Sequence, residues 1–415
     1  MSRIEELIER LCPDGVEFKG LGSVISAIRT GLNPRQNFKL NSENAEHYYV
    51  TVRELGGFSI NVTDKTDRVD TIGLSLIQNR SRIQSGDILF SGTGTIGRTA
   101  LVTDYPKNWN VKEGIYVITP IATIVNPRFL IYLFQSTQIL THILSKSDGS
   151  TVASISMASL QRIKVPIPPL EIQNEIVSIL DKFTLLEAEL EAELEARKTQ
   201  YEYYRNALLG FETKKVEWKT LGEISTLITK GTTPKKYADN GIAFIKTEAF
   251  DGNRIDITKL SFVDELTHQT FLKRSILKVN DILFTIAGAT IGKIAIVTDD
   301  ILPANTNQAL AIIRLKEDVN IKYVFYILRS NYMRRYIDQS AKGSAQPNLN
   351  LQQLNEFPIP LPSYEEQERI VSILDKFDAL VNDISIGLPA EIEVRRQQYE
   401  YYRNKLLTFK NLGNG

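Results

Sequence analysis

The chain has 415 residues, of which 42% are hydrophobic and 24% are charged, a composition typical of a globular protein of two or three domains. A single cysteine, Cys12, excludes a disulfide framework and a cysteine-based zinc cluster, and it fits a reducing cytoplasm. No apolar run reaches the ~18 residues that a membrane helix needs, and the N-terminus lacks the apolar core of a signal peptide. We therefore expect a cytoplasmic protein without membrane contact.

The charge is balanced overall but uneven along the chain. The 49 basic and 49 acidic residues cancel, which taken alone argues against a nucleic-acid ligand. However, residues 16–168 carry 16 basic and 11 acidic side chains, residues 216–362 carry 18 and 15, and the remaining segments are acidic. Two mildly basic blocks are compatible with a polyanion that touches only these blocks, and also with ordinary scatter of surface charge.

An internal repeat divides the chain. Ile176–Phe183 reads IVSILDKF and recurs unchanged at Ile370–Phe377, and Gln200–Asn206 reads QYEYYRN and recurs at Gln398–Asn404. Because self-similarity at a long period indicates repeated structural units, we predict the order globule, helix, globule, helix. The expected segments are an N-terminal helix (1–15), a first globule (16–168), a central helix (169–215), a second globule (216–362) and a distal helix (363–415).

The N-terminal segment has the pattern of a short amphipathic helix. Ile4, Leu7, Ile8 and Leu11 share one helix face. Shifted by about 200 residues, they align with the end of the central helix. We therefore expect this segment to complete the repeat and to bring the two chain termini together.

Each globule is predicted to be α+β. A helix of apolar and aromatic spacing follows the strands in both blocks, over Pro127–Leu144 and Ile321–Ile337. Short apolar runs bounded by turn residues indicate the strands. The expected strands are Tyr48–Val52, Asp87–Phe90, Thr99–Val102 and Ile115–Ile118 in the first globule, and Ala243–Lys246, Asp281–Thr285, Ile294–Val297 and Leu310–Arg314 in the second.

The loop Gly92–Gly97 has the spacing of a dinucleotide-binding GxGxxG sequence. A loop that binds phosphate groups this way must be followed by a helix, whereas Arg98–Val102 has the pattern of a strand. The second copy, Ala287–Lys293, keeps only the last glycine. We interpret the loop as a tight turn that presents polar groups, with nucleotide binding as the alternative.

Polar and basic residues in matching loops of the two globules are the candidate DNA contacts. Their side chains are of the types that bind phosphates and groove edges, and a solvated turn is the alternative for each of them. The candidates are Thr30, Asn33, Arg35, Ser91, Thr93, Thr95, Arg98, Lys146 and Ser150 in the first globule, and Lys230, Thr232, Thr233, Lys235, Lys236, Thr285, Thr290, Lys293, Lys342, Ser344 and Gln346 in the second.

Both helical segments carry an apolar heptad pattern, which is typical of a coiled coil. The central helix of about 39 residues would measure ~58 Å and needs a partner for its apolar seam. We expect an antiparallel pair with the distal helix, because the globule between them must return the chain. The seam residues are Ile176, Leu180, Phe183, Leu190, Leu194, Tyr201, Tyr204, Ile370, Leu374, Phe377, Tyr399 and Tyr402.

The helices also contain repeated tyrosines, alternating glutamates and one proline. The tyrosines of the repeated YEYY sequence are assigned to the seam, with stacking on DNA bases as the alternative. The alternating glutamates from Glu187 to Glu195 are interpreted as a solvated face. Pro389 is predicted to interrupt the distal helix.

The sequence carries no recognisable catalytic motif. The three histidines His47, His142 and His268 lack metal-ligand spacing, and no methyltransferase, helicase or nuclease motif occurs. We therefore expect no metal, no cofactor and no catalysis by this chain alone. A stand-alone nucleotide-binding enzyme and a coiled-coil protein adaptor are the alternatives.

Taken together, the motifs resemble those of specificity (S) subunits of type I restriction-modification systems. The resemblance covers essentially the whole chain. It depends on the two repeated motifs, on the segments Glu6–Phe18, Pro166–Gln173 and Lys230–Pro234, and on Asp281–Phe284 with Thr290–Gly292.

The resemblance implies two target recognition domains, each of which reads one half of a split sequence in double-stranded DNA, and spacer helices that set the distance between the half-sites. It also implies docking of two modification subunits, which methylate adenine with S-adenosylmethionine, and of two motor-nuclease restriction subunits. The S subunit of the family has no active site. The interruption at Gly387–Pro389 departs from the first helix, so the two arms are expected not to be strictly equivalent.

Overall fold

A computed structural model describes residues 3–35, 37–148, 152–211, 216–251, 254–288, 290–340, 348–383 and 386–412. Four of the candidate DNA contacts, Ser150, Lys342, Ser344 and Gln346, lie outside these ranges.

The helices and short strands alternate along both globules. The helices are α1 (Arg3–Leu11), α2 (Thr71–Ser81), α3 (Pro127–Gln135), α4 (Thr137–Ser145), α5 (Met157–Gln161), α6 (Leu170–Leu209), α7 (Glu265–Gln269), α8 (Ile321–Leu328), α9 (Asn331–Ser340), α10 (Leu351–Asn355), α11 (Tyr364–Asn382) and α12 (Leu388–Leu406). The strands are β1 (Phe18–Gly20), β2 (Ile25–Thr30), β3 (His47–Val50), β4 (Arg68–Val69), β5 (Ile88–Ser91), β6 (Thr99–Leu101), β7 (Trp109–Val111), β8 (Ile115–Pro120), β9 (Lys164–Pro166), β10 (Glu217–Thr220), β11 (Ser225–Lys230), β12 (Ile242–Ile245), β13 (Phe250–Asp251), β14 (Arg254–Ile255), β15 (Ser261–Val263), β16 (Ile282–Thr285), β17 (Ile294–Ile296), β18 (Ala304–Thr306), β19 (Leu310–Leu315) and β20 (Pro358–Leu361).

The chain folds into two compact units. Unit 1 comprises Met1–Glu191 and Glu391–Gly415, and unit 2 comprises Ala192–Ala390. Each unit therefore contains one globule together with part of α6 and part of the distal helical segment. Because the unit boundaries fall within the helical segments, the five expected segments stay a prediction about domain organisation.

The same sheet topology occurs in both units. Unit 1 contains a four-stranded antiparallel sheet in the order β2-β8-β5-β6, and unit 2 contains the matching order β11-β19-β16-β17. A three-stranded sheet accompanies each, in the orders β4-β3-β7 and β15-β12-β18. The outermost strands of each globule also pair, β1 with β9 and β10 with β20. The α+β class and the internal repeat are thus confirmed.

The central strand of each four-stranded sheet is apolar on both faces because both faces are covered. In β5, Ile88 and Phe90 pack in a core with the buried residues Phe129–Phe134 of α3, whereas Leu89 packs on the opposite face with Val50 and Val111 of the three-stranded sheet. The alternation follows from the period of two in a strand. The continuous apolar run therefore marks a doubly covered strand.

The helix expected over Pro127–Leu144 is two helices in the structure, so that prediction of a single helix was wrong. Ser136 is extended (φ −67°, ψ 143°) and its hydroxyl donates to the Leu133 carbonyl at 2.7 Å, which ends α3. Serine favours such local bonds over helix continuation. The helix expected over Ile321–Ile337 likewise divides, between α8 and α9.

The central helix was predicted closely, since α6 runs for 40 residues from Leu170 to Leu209. In unit 1 it packs antiparallel to α12. Phe183 contacts Tyr402 at a centroid distance of 5.6 Å, and further along α6, Glu187 binds Arg396 at 2.6 Å. The number of the partner falls as the number along α6 rises, which confirms the antiparallel direction.

The distal helical segment is interrupted as the proline predicts. The first helix, α11, ends at Asn382, and α12 begins at Leu388 with Pro389 in its first turn, where a missing N–H is tolerated. A Cβ at Gly387 would lie 2.4 Å from the Ala379 carbonyl oxygen, so this turn needs glycine.

The two chain termini lie together in unit 1, as expected. Ile4 and Leu7 of α1 are buried in the same core as Leu407. Val16 forms a parallel bridge with Asn411, and its N–H donates to the Lys410 carbonyl at 2.8 Å.

Among the residues that the structure describes, no helix combines the length and apolar composition needed to cross a bilayer.

Candidate nucleic-acid interface

In unit 1, the loops with candidate residues meet at one edge of the four-stranded sheet. This edge contains the end of β2, the end of β5 and the start of β8, because neighbouring antiparallel strands reverse direction there. The Gly92 N–H donates to the Gly114 carbonyl at 2.8 Å, and the Gly94 N–H donates to the Ala153 carbonyl at 2.8 Å. We call the accessible candidates of these loops, exposed or half-buried, edge 1: Asn33, Arg35, Thr93, Thr95, Arg98 and Lys146.

Two consecutive β-bridges place the segment that contains Lys146 next to the other loops of edge 1. Lys146 caps the C-terminus of α4, and Asp148, two residues later, pairs with Ser154. Ser154 also pairs with Thr93. The segment after α4 therefore adjoins the loop after β5.

Two candidate residues of unit 1 are buried, and their hydroxyl groups bind the loop backbone instead of facing solvent. The Ser91 hydroxyl donates to the Thr95 carbonyl at 2.5 Å and accepts from the Arg98 N–H at 2.9 Å. The Thr30 hydroxyl donates to the Ile115 carbonyl at 3.0 Å and accepts from the Gly114 N–H at 3.1 Å. Both side chains are buried and bonded, which favours a role in shaping the loops over the predicted DNA contact.

The loop Gly92–Gly97 is the turn between two antiparallel strands, β5 and β6. No helix N-terminus follows it, so the phosphate-binding arrangement of a dinucleotide site is not formed. The structure therefore agrees with the turn interpretation.

Unit 2 forms the corresponding edge. The Gly231 N–H donates to the Leu310 carbonyl at 3.0 Å, and the Thr232 N–H donates to the Thr306 carbonyl at 2.9 Å. We call the accessible candidates of this edge, exposed or half-buried, edge 2: Lys230, Thr232, Thr233, Lys235, Lys236, Thr290 and Lys293.

Thr285 is the buried candidate of the second edge, and its burial likewise favours a structural role over the predicted DNA contact. Its hydroxyl is inaccessible and has no hydrogen-bond partner among the described residues. Its backbone closes the turn, since its N–H donates to the Lys293 carbonyl at 2.8 Å.

Each globule is fixed to its part of the helical arm by a polar cluster that the sequence analysis missed. In unit 1, Asp181 of α6 accepts from Arg128 at 2.7 Å and from the Tyr132 hydroxyl at 2.6 Å. Burial, followed by the bond to Asp181, raises the pKa of Tyr132 well above its usual range. In unit 2, Asp375 accepts from Tyr326 at 2.7 Å.

A buried glutamine adds a second bond set at the same junction. Gln173 donates to the Pro168 carbonyl at 2.8 Å and accepts from the Asn126 N–H at 2.8 Å. In unit 2, Gln367 donates to the Pro362 carbonyl at 2.9 Å and accepts from the Asn320 N–H at 3.0 Å. Asp181 lies within the repeated IVSILDKF motif, and Gln173 just before it. Repetition of polar residues at the same helix positions was thus the signal that could have identified them.

The aromatic seam residues form the same triad in both units. In unit 1, Phe183 stacks on Tyr402 at 5.6 Å and lies 6.3 Å from Tyr399. In unit 2, Phe377 stacks on Tyr204 at 5.4 Å and lies 6.3 Å from Tyr201. The interruption at Gly387–Pro389 therefore does not alter these contacts.

The predicted seam residues differ in their exposure, and two tyrosines are the most exposed of them. Tyr204 and Tyr402 are 40% and 42% exposed, so they cover the rim of the seam. Phe183, Leu194, Phe377 and Tyr399 are half-buried. The buried seam residues are Ile176, Leu180, Leu190, Tyr201, Ile370 and Leu374.

Burial also changes the acidity of one buried seam residue. It raises the pKa of Tyr201 to about 12, with a further contribution from Asp378. The described residues contain no group of three or more His, Cys, Asp or Glu side chains arranged to hold a metal ion.

A family model described as "Type I restriction modification DNA specificity domain" matches residues 13–196 and 213–394. The chain is similar to the EcoR124I/EcoR124II specificity subunit of Escherichia coli, with 38% identity over 266 residues, which are 61% of this chain and 65% of that subunit. It is also similar to the EcoprrI specificity subunit of Escherichia coli, with 30% identity over 93% of this chain and 92% of that subunit.

Two solved structures share the fold. One chain, from a study of complex assembly and conformational transition of the type I R-M system, is 19% identical with a TM-score of 0.62, covering 96% of this chain and 98% of that chain. The HsdS subunit from Thermoanaerobacter tengcongensis is 18% identical with a TM-score of 0.51, covering 96% of each chain. Since the family model matches both copies of the repeat, the chain belongs to the family of type I restriction modification DNA specificity domains.

Proposed function

We propose that this chain is the DNA-sequence-reading subunit of a type I restriction-modification complex, in which edge 1 and edge 2 each read one half of a split target. The observation that carries the proposal is the repetition of one polar sheet edge in two units whose loop sequences differ. An identical frame with different loops suits two readers of different half-sites, since base contacts specify sequence whereas the frame only positions them. The globules 16–168 and 216–362 are then the target recognition domains, and 1–15, 169–215 and 363–415 form their support.

The polar clusters at Asp181 and Asp375 supply the rigidity that such reading requires. Each cluster joins the first helix after the sheet to the helical arm of its own unit through charged and hydroxyl hydrogen bonds. Charge-assisted hydrogen bonds are the stronger kind and fix orientation. A loop edge on a fixed support loses less entropy on binding DNA than a mobile one.

The partners that supply catalysis are two modification subunits, and the complete assembly adds two restriction subunits. Two equivalent aromatic surfaces support the stoichiometry. Tyr401 and Tyr203 are 61% and 68% exposed, and each ring contacts the neighbouring tyrosine of its triad, Tyr402 or Tyr204, at 5.3 or 5.5 Å. Aromatic side chains are enriched in protein interfaces, and two matching surfaces provide two sites for one kind of partner.

The docking proposal is tested by counting subunits. The chain is co-expressed with its modification partner, and complexes of wild type, Tyr401→Ala and Tyr203→Ala are weighed by mass photometry. Each single variant should retain one modification subunit, and the double variant should retain none. Two bound copies in both single variants would refute these surfaces as the docking sites.

The reading role is tested by mapping adenine methylation genome-wide with and without this gene, with its modification partner kept. Methylation confined to one split motif that disappears on deletion is the expected result. Replacing residues 216–362 with the corresponding domain of a relative should change one half-site only. A methylome that is unaffected by deletion in cells that make the assembled complex would contradict the proposal.

The chain itself is proposed to be non-catalytic, to need no cofactor and to act in the cytoplasm. A protein adaptor is the remaining alternative, and the two functions differ in salt dependence. Phosphate contacts make DNA affinity fall steeply with salt concentration. If the complex does not bind DNA even at low salt, the adaptor function is favoured.

A further inference from the structure

A lysine lies over an exposed tyrosine next to edge 2. The Lys246 ammonium is 4.8 Å from the centroid of the Tyr237 ring, within the range of a cation–π interaction. The tyrosine is 47% exposed, and its inner side packs edge-on against the buried Phe244 at 5.5 Å and 74°. The ring is therefore held against the core by Phe244, lies under the lysine ammonium and is about half exposed to solvent.

Backbone pairing places this pair beside the loop after β11. Lys246 directly follows Ile245, whose carbonyl accepts from the Thr306 hydroxyl at 2.9 Å. The Thr306 carbonyl in turn accepts from the Thr232 N–H at 2.9 Å. Lys246 is thus connected through two hydrogen bonds to a residue of edge 2.

Unit 1 has the same aromatic packing without the charged pair. There Phe38 packs edge-on against Tyr49 at 5.7 Å and 73°. By strand register Tyr49 corresponds to Phe244, since each lies on the strand that pairs parallel to the last strand of its three-stranded sheet. Thr51 then stands at the position of Lys246. The hydroxyl of Tyr237 and the ammonium of Lys246 therefore belong to the second unit alone, although the frame is shared.

The chemistry of the pair suits a contact with duplex DNA. A lysine held over a ring has fewer conformations to lose when it binds a phosphate. The tyrosine adds a hydroxyl that can donate to or accept from a base edge. Lys230, Lys235 and Lys236 of edge 2 supply further positive charge nearby in the sequence.

We infer that Tyr237 and Lys246 form a base-and-phosphate contact that is particular to the half-site read by unit 2. Lys246 binds a backbone phosphate and sets affinity, whereas Tyr237 contacts a base edge and sets specificity. The inference rests on the proposed function, and it adds two residues that the loop pattern did not identify.

The test uses the full chain in complex with its modification partner. Tyr237→Phe and Lys246→Thr give unit 2 the residues that unit 1 carries at these positions, so the ring packing is preserved. Lys219→Thr serves as a control, because Lys219 lies on β10, which pairs with β20 rather than with a strand of this site, and its ammonium pairs with Glu217. Binding is measured by fluorescence anisotropy on the mapped target and on duplexes scrambled in one half-site or the other, at several salt concentrations.

Lys246→Thr should weaken binding to every duplex by a similar factor and reduce the slope of log affinity against log salt by about 1. Tyr237→Phe should reduce discrimination at the second half-site by about tenfold, the low end for a lost base contact, and leave the first half-site unchanged. Lys219→Thr should change neither property.

Two outcomes separate the inference from the proposed function. Full discrimination at both half-sites by Tyr237→Phe, together with an unchanged salt slope for Lys246→Thr, would overturn the inference while the reading function stands. A wild-type complex without preference between the mapped and scrambled duplexes would overturn both.

Discussion

Asp87 and Asp281 occupy the same position in the two copies of the sheet, yet each binds an arginine from a different strand. Both carboxylates are fully buried. Asp87 binds Arg29 of β2 at 3.0 Å, whereas Asp281 binds Arg314 of β19 in a bidentate pair at 2.7 Å for both bonds. The register of the sheets makes Thr119 the counterpart of Arg314, and Thr229 the counterpart of Arg29.

The different arginine positions in the two copies show that the buried carboxylate requires a cation, but not one from a particular strand. A buried charge is tolerated when it is paired and hydrogen-bonded, and removal of one partner costs about 3–5 kcal/mol. The cation can come from the adjacent strand, as Arg314 of β19 does, or from the strand beyond it, as Arg29 of β2 does. The arginine position therefore differs between the two copies while the ion pair is retained.

We predict that Arg314→Thr destabilises unit 2 by about 3 kcal/mol or more, because Asp281 then lacks a cation. Adding Thr229→Arg should recover at least half of this loss, because the new arginine occupies the place that Arg29 has in unit 1. Hydrogen exchange of peptides from residues 282–315 in the presence of urea measures both effects.

The matched control is Arg369→Thr, which removes an exposed ion pair with Glu366; exposed pairs contribute about 0–1 kcal/mol. If the double variant is no more stable than Arg314→Thr, the equivalence of the two arginine positions is wrong.

The close approach of backbone at Gly31 and Gly231 leads to a second prediction. A Cβ at Gly31 would lie 1.8 Å from the Val111 carbonyl oxygen, and one at Gly231 would lie 2.1 Å from that of Asn307. Since backbone must move, each change to alanine should cost about 1–3 kcal/mol, as overpacking does. Calorimetry of the variants measures the loss.

Gly20→Ala is the control for these glycines, because its Cβ would meet the Gln161 carbonyl oxygen at an ordinary 3.4 Å. Equal stability of Gly31→Ala and Gly20→Ala would show that the turn relaxes freely. The loop after β2 in edge 1 and the loop after β11 in edge 2 begin at these glycines, so weaker DNA discrimination by the corresponding half-site should accompany the lost stability.

The long helix and the repeat could be predicted because their signals are local. The apolar spacing along α6 and the identical motifs need no knowledge of distant contacts. The assignment of each helix half to a unit could not be predicted in this way, since the partner of Phe183 is Tyr402, more than 200 residues away.

The polar loops that define the candidate site could be identified from the sequence, whereas their contacts with DNA stay a prediction. Polar loops identified both edges, but a hydroxyl such as that of Ser91 satisfies the backbone around it, and composition does not distinguish such a group from an exposed one. Lys246 was missed because its place beside edge 2 depends on the parallel pairing of β12 with β18. Pairing between strands so far apart in sequence leaves no local pattern.

Cys12 provides a probe of the docked N-terminal helix. It follows α1, is 9% exposed and packs in the same core as Ile4 and Val16. Burial raises the pKa of its thiol, and the reactive form is the thiolate. At neutral pH, native protein should therefore react with a thiol reagent at least about tenfold more slowly than protein in denaturant, since reaction requires local opening.

The variant Ile4→Asp should release α1 and speed this labelling, because a charge cannot remain buried without a partner. Glu9→Ala, at an exposed position of the same helix, is the matched control and should label like wild type. Rapid labelling of the wild-type protein would show that α1 is not stably docked.

The continuity of α6 at Leu190 is the basis of the last prediction. Leu190 is 9% exposed and lies in the interior of the helix, between Glu187 and Glu191, which both bind Arg396 at 2.6 Å. Proline at this position removes a backbone hydrogen bond and clashes with the preceding turn, at a cost of about 3 kcal/mol or more. Leu190→Pro should therefore lower the helical circular dichroism signal and prevent co-purification with the modification partner, because both arms depend on α6.

Leu190→Ala, which keeps the helix but loses buried surface, should assemble with reduced thermal stability, and Glu189→Ala on the exposed face should behave like wild type. Normal assembly of Leu190→Pro would mean that the paired helices are not the support on which the partners dock.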